Sequence, residues 1–244
     1  MYLYLLIDFC AVIIPFLFSF HSKLQFHKEW KWFFPANIVV AAIFIVWDSQ
    51  FTAMGVWGFN PDYVTGIRLF GLPIEEILFF ICIPYSSLFT LHALKKVFDD
   101  FGIDDHARDG ITYFLIGACF LLGFIFLSKW YTTTAFFAAA ISLLIAKFYL
   151  KEKIDLFYQM FGMILIPFFI VNGILTGSWI PGEVVWYNDA ENLGIRMWTI
   201  PIEDTFYGLA LLLLNYIGME MMKSTFVRRD SSIVGNQSSV ISRE

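Results

Sequence analysis

The chain has 244 residues, 59% of them hydrophobic and 15% charged, and a mean hydropathy of +0.69, which excludes a soluble globular domain and marks an integral membrane protein. A formal net charge of −5, with no basic face in the pattern, excludes nucleic acid as a partner. Cys10, Cys82 and Cys119 each lie inside an apolar run, so neither a disulfide framework nor a thiolate metal site is expected.

Seven apolar stretches are long enough to cross about 30 Å of hydrocarbon: residues 3–20, 33–54, 73–93, 111–128, 131–150, 160–180 and 198–221. The first has no basic region before it and no small-x-small cleavage site, so it reads as a retained span. Residues 1–95 form a first unit of three spans, 96–130 a connector with the fourth span, and 131–222 a second unit of three. The polar tail 223–244 is predicted to be disordered. Lys23, Lys28, Lys31, Lys95, Lys96, Arg108, Lys147, Lys151, Lys153, Lys223, Arg228, Arg229 and Arg243 fall on one side of this topology, against Arg68, Lys129 and Arg196 on the other. Basic residues accumulate in cytoplasmic loops, which predicts a cytoplasmic C-terminus and an outside N-terminus. The fold class is therefore an all-α integral membrane protein of about seven transmembrane helices. An odd connector gives the two three-helix repeats the same direction, related by a pseudo-two-fold axis along the membrane normal.

The repeat is written in the residues. Gly66-Ile67-Arg68 leads into Pro73-Ile74-Glu75-Glu76, and Gly194-Ile195-Arg196 leads into Pro201-Ile202-Glu203-Asp204, at one offset (203 − 75 = 196 − 68 = 128). Pro at the first helical turn and acids behind it suit a helix N-terminus, so a capping role alone would also account for them. A carboxylate at membrane depth is nevertheless a functional hypothesis by default. Adjacent helical positions point about 100° apart, so the two acids of each pair meet different surroundings and serve as one acid and one base. Glu75, Glu76, Glu203 and Asp204 are the catalytic candidates, with Glu75 and Glu203 favoured as the equivalent pair. Asp8 and Asp48 reach the same side, and Asn172 stands where the second unit would carry Asp48.

Aromatic residues make up 20% of the chain. Many crowd the motif side, as an interfacial belt would, but ring faces also stabilise cations. Asp48, Arg68, Arg196, Trp57, Trp186, Phe79 and Tyr207 are the candidate substrate contacts.

Together, Trp47-Asp48, Gly55-Val56-Trp57-Gly58-Phe59-Asn60-Pro61, the two Gly-Ile-Arg and Pro-Ile-acid-acid segments, Asn172-Gly173-Ile174-Leu175-Thr176-Gly177, Val185-Trp186-Tyr187-Asn188 and Phe206-Tyr207-Gly208 resemble the membrane lycopene cyclase domain, from residue 1 to about 222. That resemblance implies a linear carotene such as lycopene as substrate and a bacterial cell membrane as location. It also implies a β-cyclase reaction without net redox change: protonation of a terminal double bond, ring closure through a carbocation, and loss of a ring proton. No cofactor and no metal are expected. Fused repeats would let a monomer suffice, with the lipid bilayer as the other partner.

Other readings have specific signals. The stretch Asp99, Asp100, Asp104, Asp105 offers oxygen ligands to Mg²⁺ and a diphosphate, as a membrane prenyltransferase would need. A proton or ion transporter would use the same repeated acids as relays. A retinal protein would need a lysine inside the seventh stretch, and a di-iron hydroxylase would need clustered histidines, whereas His21, His27, His92 and His106 are scattered.

Overall fold

In hydrocarbon every backbone N–H and C=O must find its partner inside the protein, so apolar stretches become helices. The computed structural model describes residues 2–97 and 102–241. It contains seven helices: α1 (Leu3–Phe18), α2 (Trp30–Met54), α3 (Ile74–Val97), α4 (Asp105–Ile125), α5 (Trp130–Tyr149), α6 (Ile154–Leu175) and α7 (Ile202–Ile241). The last six are long and apolar enough to cross a membrane, whereas α1, with 16 residues, spans about 24 Å at ~1.5 Å per residue.

Three antiparallel two-stranded ribbons, absent from the all-helical expectation, lie between the helices: β1 (Trp57–Phe59) with β4 (Val185–Tyr187), β2 (Arg68–Leu69) with β3 (Leu72–Pro73), and β5 (Arg196–Met197) with β6 (Ile200–Pro201). Two of the expected spans shift at the ribbon end: α6 runs from Ile154 and stops at Leu175, and α7 begins only at Ile202, because Arg196 to Pro201 is a hairpin. In the other direction, α7 runs on to Ile241, inside the segment 223–244 expected to be disordered. Extending an existing helix costs far less than nucleating one, and Ser224 to Val234 contains neither Gly nor Pro.

Helices α1 and α3 pack together, as do α5 and α7; α2 packs on α7, α3 on α6, and α4 on α5. At the ribbon end, α2 closes on Gly55, whose φ of +73° suits glycine. The Val56 N–H reaches back to Phe51 O at 3.0 Å in the manner of a Schellman cap, and this sends Trp57 into β1. Across that ribbon Trp57 faces Tyr187 and Gly58 faces Trp186, so the loops of the two halves are joined. A Cβ on Gly58 would collide with the Trp186 ring.

The opposite end is held by polar contacts. Ser19 Oγ and Tyr85 OH lie 2.6 Å apart, with the Trp30 indole donating to the same hydroxyl at 3.1 Å. Lys223 pairs with Glu29 at 2.7 Å, and Lys153 pairs with Glu220. Asp104 caps α4 by accepting from His106 N at 3.0 Å and Ala107 N at 3.2 Å, and Asp105 pairs with Arg108 at 2.7 Å. Asp99 and Asp100 lie outside the described residues.

The α2–α7 contact is closest at Gly218, where an added Cβ would lie 3.1 Å from Ala36 Cβ. Gly218→Leu is expected to force these helices apart and lower stability by about 1–3 kcal/mol. Gly117→Leu, on the open face of α4, should leave it unchanged. Thermal unfolding of the two variants in one detergent checks the contrast.

Candidate functional site

Each acid pair opens a helix whose first turn is fixed by a hairpin. In the first half, Arg68 Nη1 donates to Gly71 O at 3.0 Å and Ile74 N to Ile67 O at 2.9 Å. In the second, Arg196 Nη1 donates to Thr199 O at 2.8 Å and Ile202 N to Ile195 O at 3.0 Å. Every one of these partners recurs at the 128-residue offset. Both arginines thus lock their own turns; Arg196 Nη2 also holds Asp189 at 2.6 Å, keeping that carboxyl below its ordinary range. Neither arginine lines the cavity described below.

Glu75 and Glu203 are both 0% exposed. Glu75 Oε1 accepts Thr65 N at 2.7 Å, and Glu203 Oε1 accepts Leu193 N at 2.8 Å, again 128 residues apart, with Thr132 Oγ1 adding a donor at 2.7 Å to Glu203. These carboxylates stitch the loop before each hairpin to the helix after it.

One residue on, about 100° around the helix, Glu76 and Asp204 turn the other way and line a cavity of about 300 Å³. Glu76 Oε2 accepts the Tyr4 hydroxyl at 2.6 Å. Asp204 Oδ1 accepts the Tyr131 hydroxyl at 2.5 Å, while its Oδ2 accepts Tyr187 OH at 3.1 Å and Asn172 Nδ2 at 3.2 Å. Burial, and next the charge of Asp204, push the Tyr187 hydroxyl well above its ordinary value, so it remains a donor. Glu76 lies within electrostatic reach of Asp8, Asp48 and Asp204. Asp8 is buried, and neither of its oxygens has a hydrogen-bond partner among the described residues.

Aromatic rings wall the acids. Trp57 lies 5.0 Å from Tyr131 and 6.4 Å from Tyr207, and Tyr131 stacks on Tyr187 at 5.7 Å. Phe79 and Asp48 line the same space. Trp186 does not: it is 39% exposed and lies over Gly58 on the other face of the β1–β4 ribbon. Of the expected site residues, the cavity therefore unites Glu76, Asp204, Asp48, Trp57, Phe79 and Tyr207, and leaves out Glu75, Glu203, Arg68, Arg196 and Trp186. Sequence reasoning missed Tyr4 and Tyr131, although each stands near the start of its unit, 72 and 73 residues before its acid.

A family model described as lycopene cyclase matches residues 1–94 and 128–222. A protein of Podospora anserina named bifunctional lycopene cyclase/phytoene synthase is 42% identical over 53 residues, 21% of this chain and 9% of that protein. One of the same name from Pyrenophora tritici-repentis is 32% identical over 78 residues, 32% of this chain and 13% of the relative. The matched stretches thus span only a small part of the length of these relatives. No solved structure matches.

Glu203→Ala is expected to strand the Leu193 N–H and the Thr132 hydroxyl and to cost about 1–3 kcal/mol. Glu203→Gln keeps a carbonyl acceptor and should retain most of the stability; thermal unfolding of the pair distinguishes a loop tie from a dispensable acid.

Proposed function

Because the chain belongs to the lycopene cyclase family, we propose that it closes a β-ring on the open ψ-end of a linear carotene such as lycopene. The observation that carries this reading is that Glu76 and Asp204, one from each half, face one apolar, aromatic cavity. One carboxyl delivers a proton to the terminal double bond. The resulting tertiary cation is attacked by the neighbouring double bond, and the ring forms. The other carboxyl removes a proton from the ring carbon next to the new cation. One proton enters and one leaves, no electrons are exchanged, and the reaction is an isomerisation that needs no redox cofactor.

The surroundings suit each step. Ring faces of Trp57, Tyr131 and Tyr207 offer negative electrostatic potential to a passing cation, in a space where charge interactions are strong because water is scarce. Tyr4 on Glu76 and Tyr131, Tyr187 and Asn172 on Asp204 fix the orientation of both carboxyls. We assign seven spans, α1 included, arranged as two parallel three-helix repeats with α4 as connector. The ribbon end then lies at the outer leaflet and the C-terminus on the cytoplasmic side, following the Lys and Arg distribution. Since both acids belong to one chain, a monomer holds a whole site.

In a lycopene-accumulating bacterium, Glu76→Gln and Asp204→Asn are each expected to lower cyclisation about 100-fold or more, with the protein still in the membrane. Tyr4→Phe, which leaves Glu76 unanchored, should lower it about tenfold. Pigment chromatography reads the result, and wild-type levels of cyclic carotene from both acid variants would refute the assignment.

A further inference from the structure

The cavity does not end at the acids. From Glu76 it follows α3 past Ile83 to Thr90, 14 residues or about 21 Å at ~1.5 Å per residue, between α1, α3 and α6, with Leu211 and Leu212 of α7 also on its wall. It reaches the outside of the bundle at Pro167, which lines it and is itself exposed. A polyene tail attached to a reacting end at Glu76 and Asp204 needs such an extension.

The repeat supplies an internal comparison. At the offset of 128 residues, Ser87 and Thr90 of α3 correspond to Asn215 and Gly218 of α7. At the offset of 124 that relates Asp48 to Asn172, Phe161 of α6 corresponds to Asn37 of α2. Ser87, Thr90 and Phe161 line the open groove. Their counterparts are in contact with the facing helix. Asn37 Nδ2 donates to Asn215 Oδ1 at 2.9 Å and to Phe80 O at 3.0 Å, and Gly218 meets Ala36. An amide pair buried in an apolar interior is costly to separate. Corresponding positions therefore make different contacts in the two halves: one set lines the groove and the other joins α2 to α7.

Resting on the cyclase reading, we propose that the α3–α6 groove is the single seat of the substrate's polyene tail, entered sideways from the bilayer beside Pro167, with Ser87, Thr90 and Phe161 setting the length it accepts. The α2–α7 seam is sealed by Asn37, Asn215 and Gly218 and takes no substrate. A linear carotene then lies in one direction only, one end at the acids and its tail toward Thr90.

The test compares lycopene with a shortened acyclic polyene carrying the same open end, using the full chain in membranes. Ser87→Phe and Thr90→Phe fill the far part of the groove. Each is expected to lower kcat/KM for lycopene by at least about tenfold while changing that for the short polyene less than about twofold, since only the tail is displaced from its reacting alignment. Unchanged turnover of both substrates would overturn the groove assignment and leave the cyclase reading standing. So would equal loss of both with the protein present, because the positions would then act on the acid end. Should the added rings prevent insertion, Phe161→Ala creates space instead; it should extend turnover to acyclic carotenes longer than the wild type accepts, and no such gain would overturn the proposal. A wild-type chain that cyclises neither substrate refutes the cyclase reading. The groove is then read from quenching of tryptophan fluorescence by lycopene: quenching in the wild type that Thr90→Phe abolishes supports it, and its absence, or equal quenching in both, rejects it.

Discussion

Two neighbouring carboxyls at the start of a buried helix cannot face the same surroundings, and the site depends on how that conflict is resolved. An unsatisfied polar group in an apolar interior costs several kcal/mol, so one acid of each pair is turned onto loop backbone. Glu75 takes the Thr65 N–H and Glu203 the Leu193 N–H. Those bonds fix the loop, the hairpin that follows it sets where α3 and α7 begin, and the starting residue sets the rotation of each helix. Only then do Glu76 and Asp204 point into the cavity. The loop-facing acids thus set where their neighbours point, and the partial positive charge of each helix N-terminus supports both members of the pair.

Duplication explains how two such acids meet. The loops of the two halves are joined by the β1–β4 ribbon, and the pleat of that ribbon sends Trp57 and Tyr187 to one face and Trp186 to the other. The halves have nonetheless diverged in what they bring. The first contributes Asp8, Asp48 and Glu76; at corresponding positions the second has Ala135, Asn172 and Asp204. The first half is thus rich in acids, whereas the second surrounds its one cavity-facing acid with the donors of Tyr131, Tyr187 and Asn172.

The apolar stretches, the 128-residue offset and the four acids were legible in the sequence because each is a local pattern or a copy of one. The choice within each acid pair was not, since a shift of one residue in the helix start exchanges their directions, and the hairpins that set the start are only two residues per strand. Trp57 and Trp186 looked alike for a related reason: which face a strand residue takes depends on the register with a partner 130 residues away. Arg68 and Arg196, expected as substrate contacts, find carbonyls within their own turns, partners that depend on the hairpin backbone. Tyr4 and Tyr131 are single polar atoms in apolar helices, and only a comparison of one half with the other would have exposed them.

The two parallel three-helix repeats proposed above would by default carry two equivalent grooves leading from the centre, one on each side. A few residues differ between the two copies. The side chain of Asn37 crosses to Asn215, and the missing side chain at Gly218 lets α2 and α7 close, whereas Phe161 and Thr90 at the corresponding places line the cavity beside the α3–α6 contact. Both acid-bearing helices border the open side, α3 through Ser87 and Thr90 and α7 through Leu211 and Leu212. The repeated segments thus bring two carboxyls to one cavity, and on the reading proposed above the divergence of Asn37, Asn215 and Gly218 from Phe161, Ser87 and Thr90 gives a substrate bound there a direction.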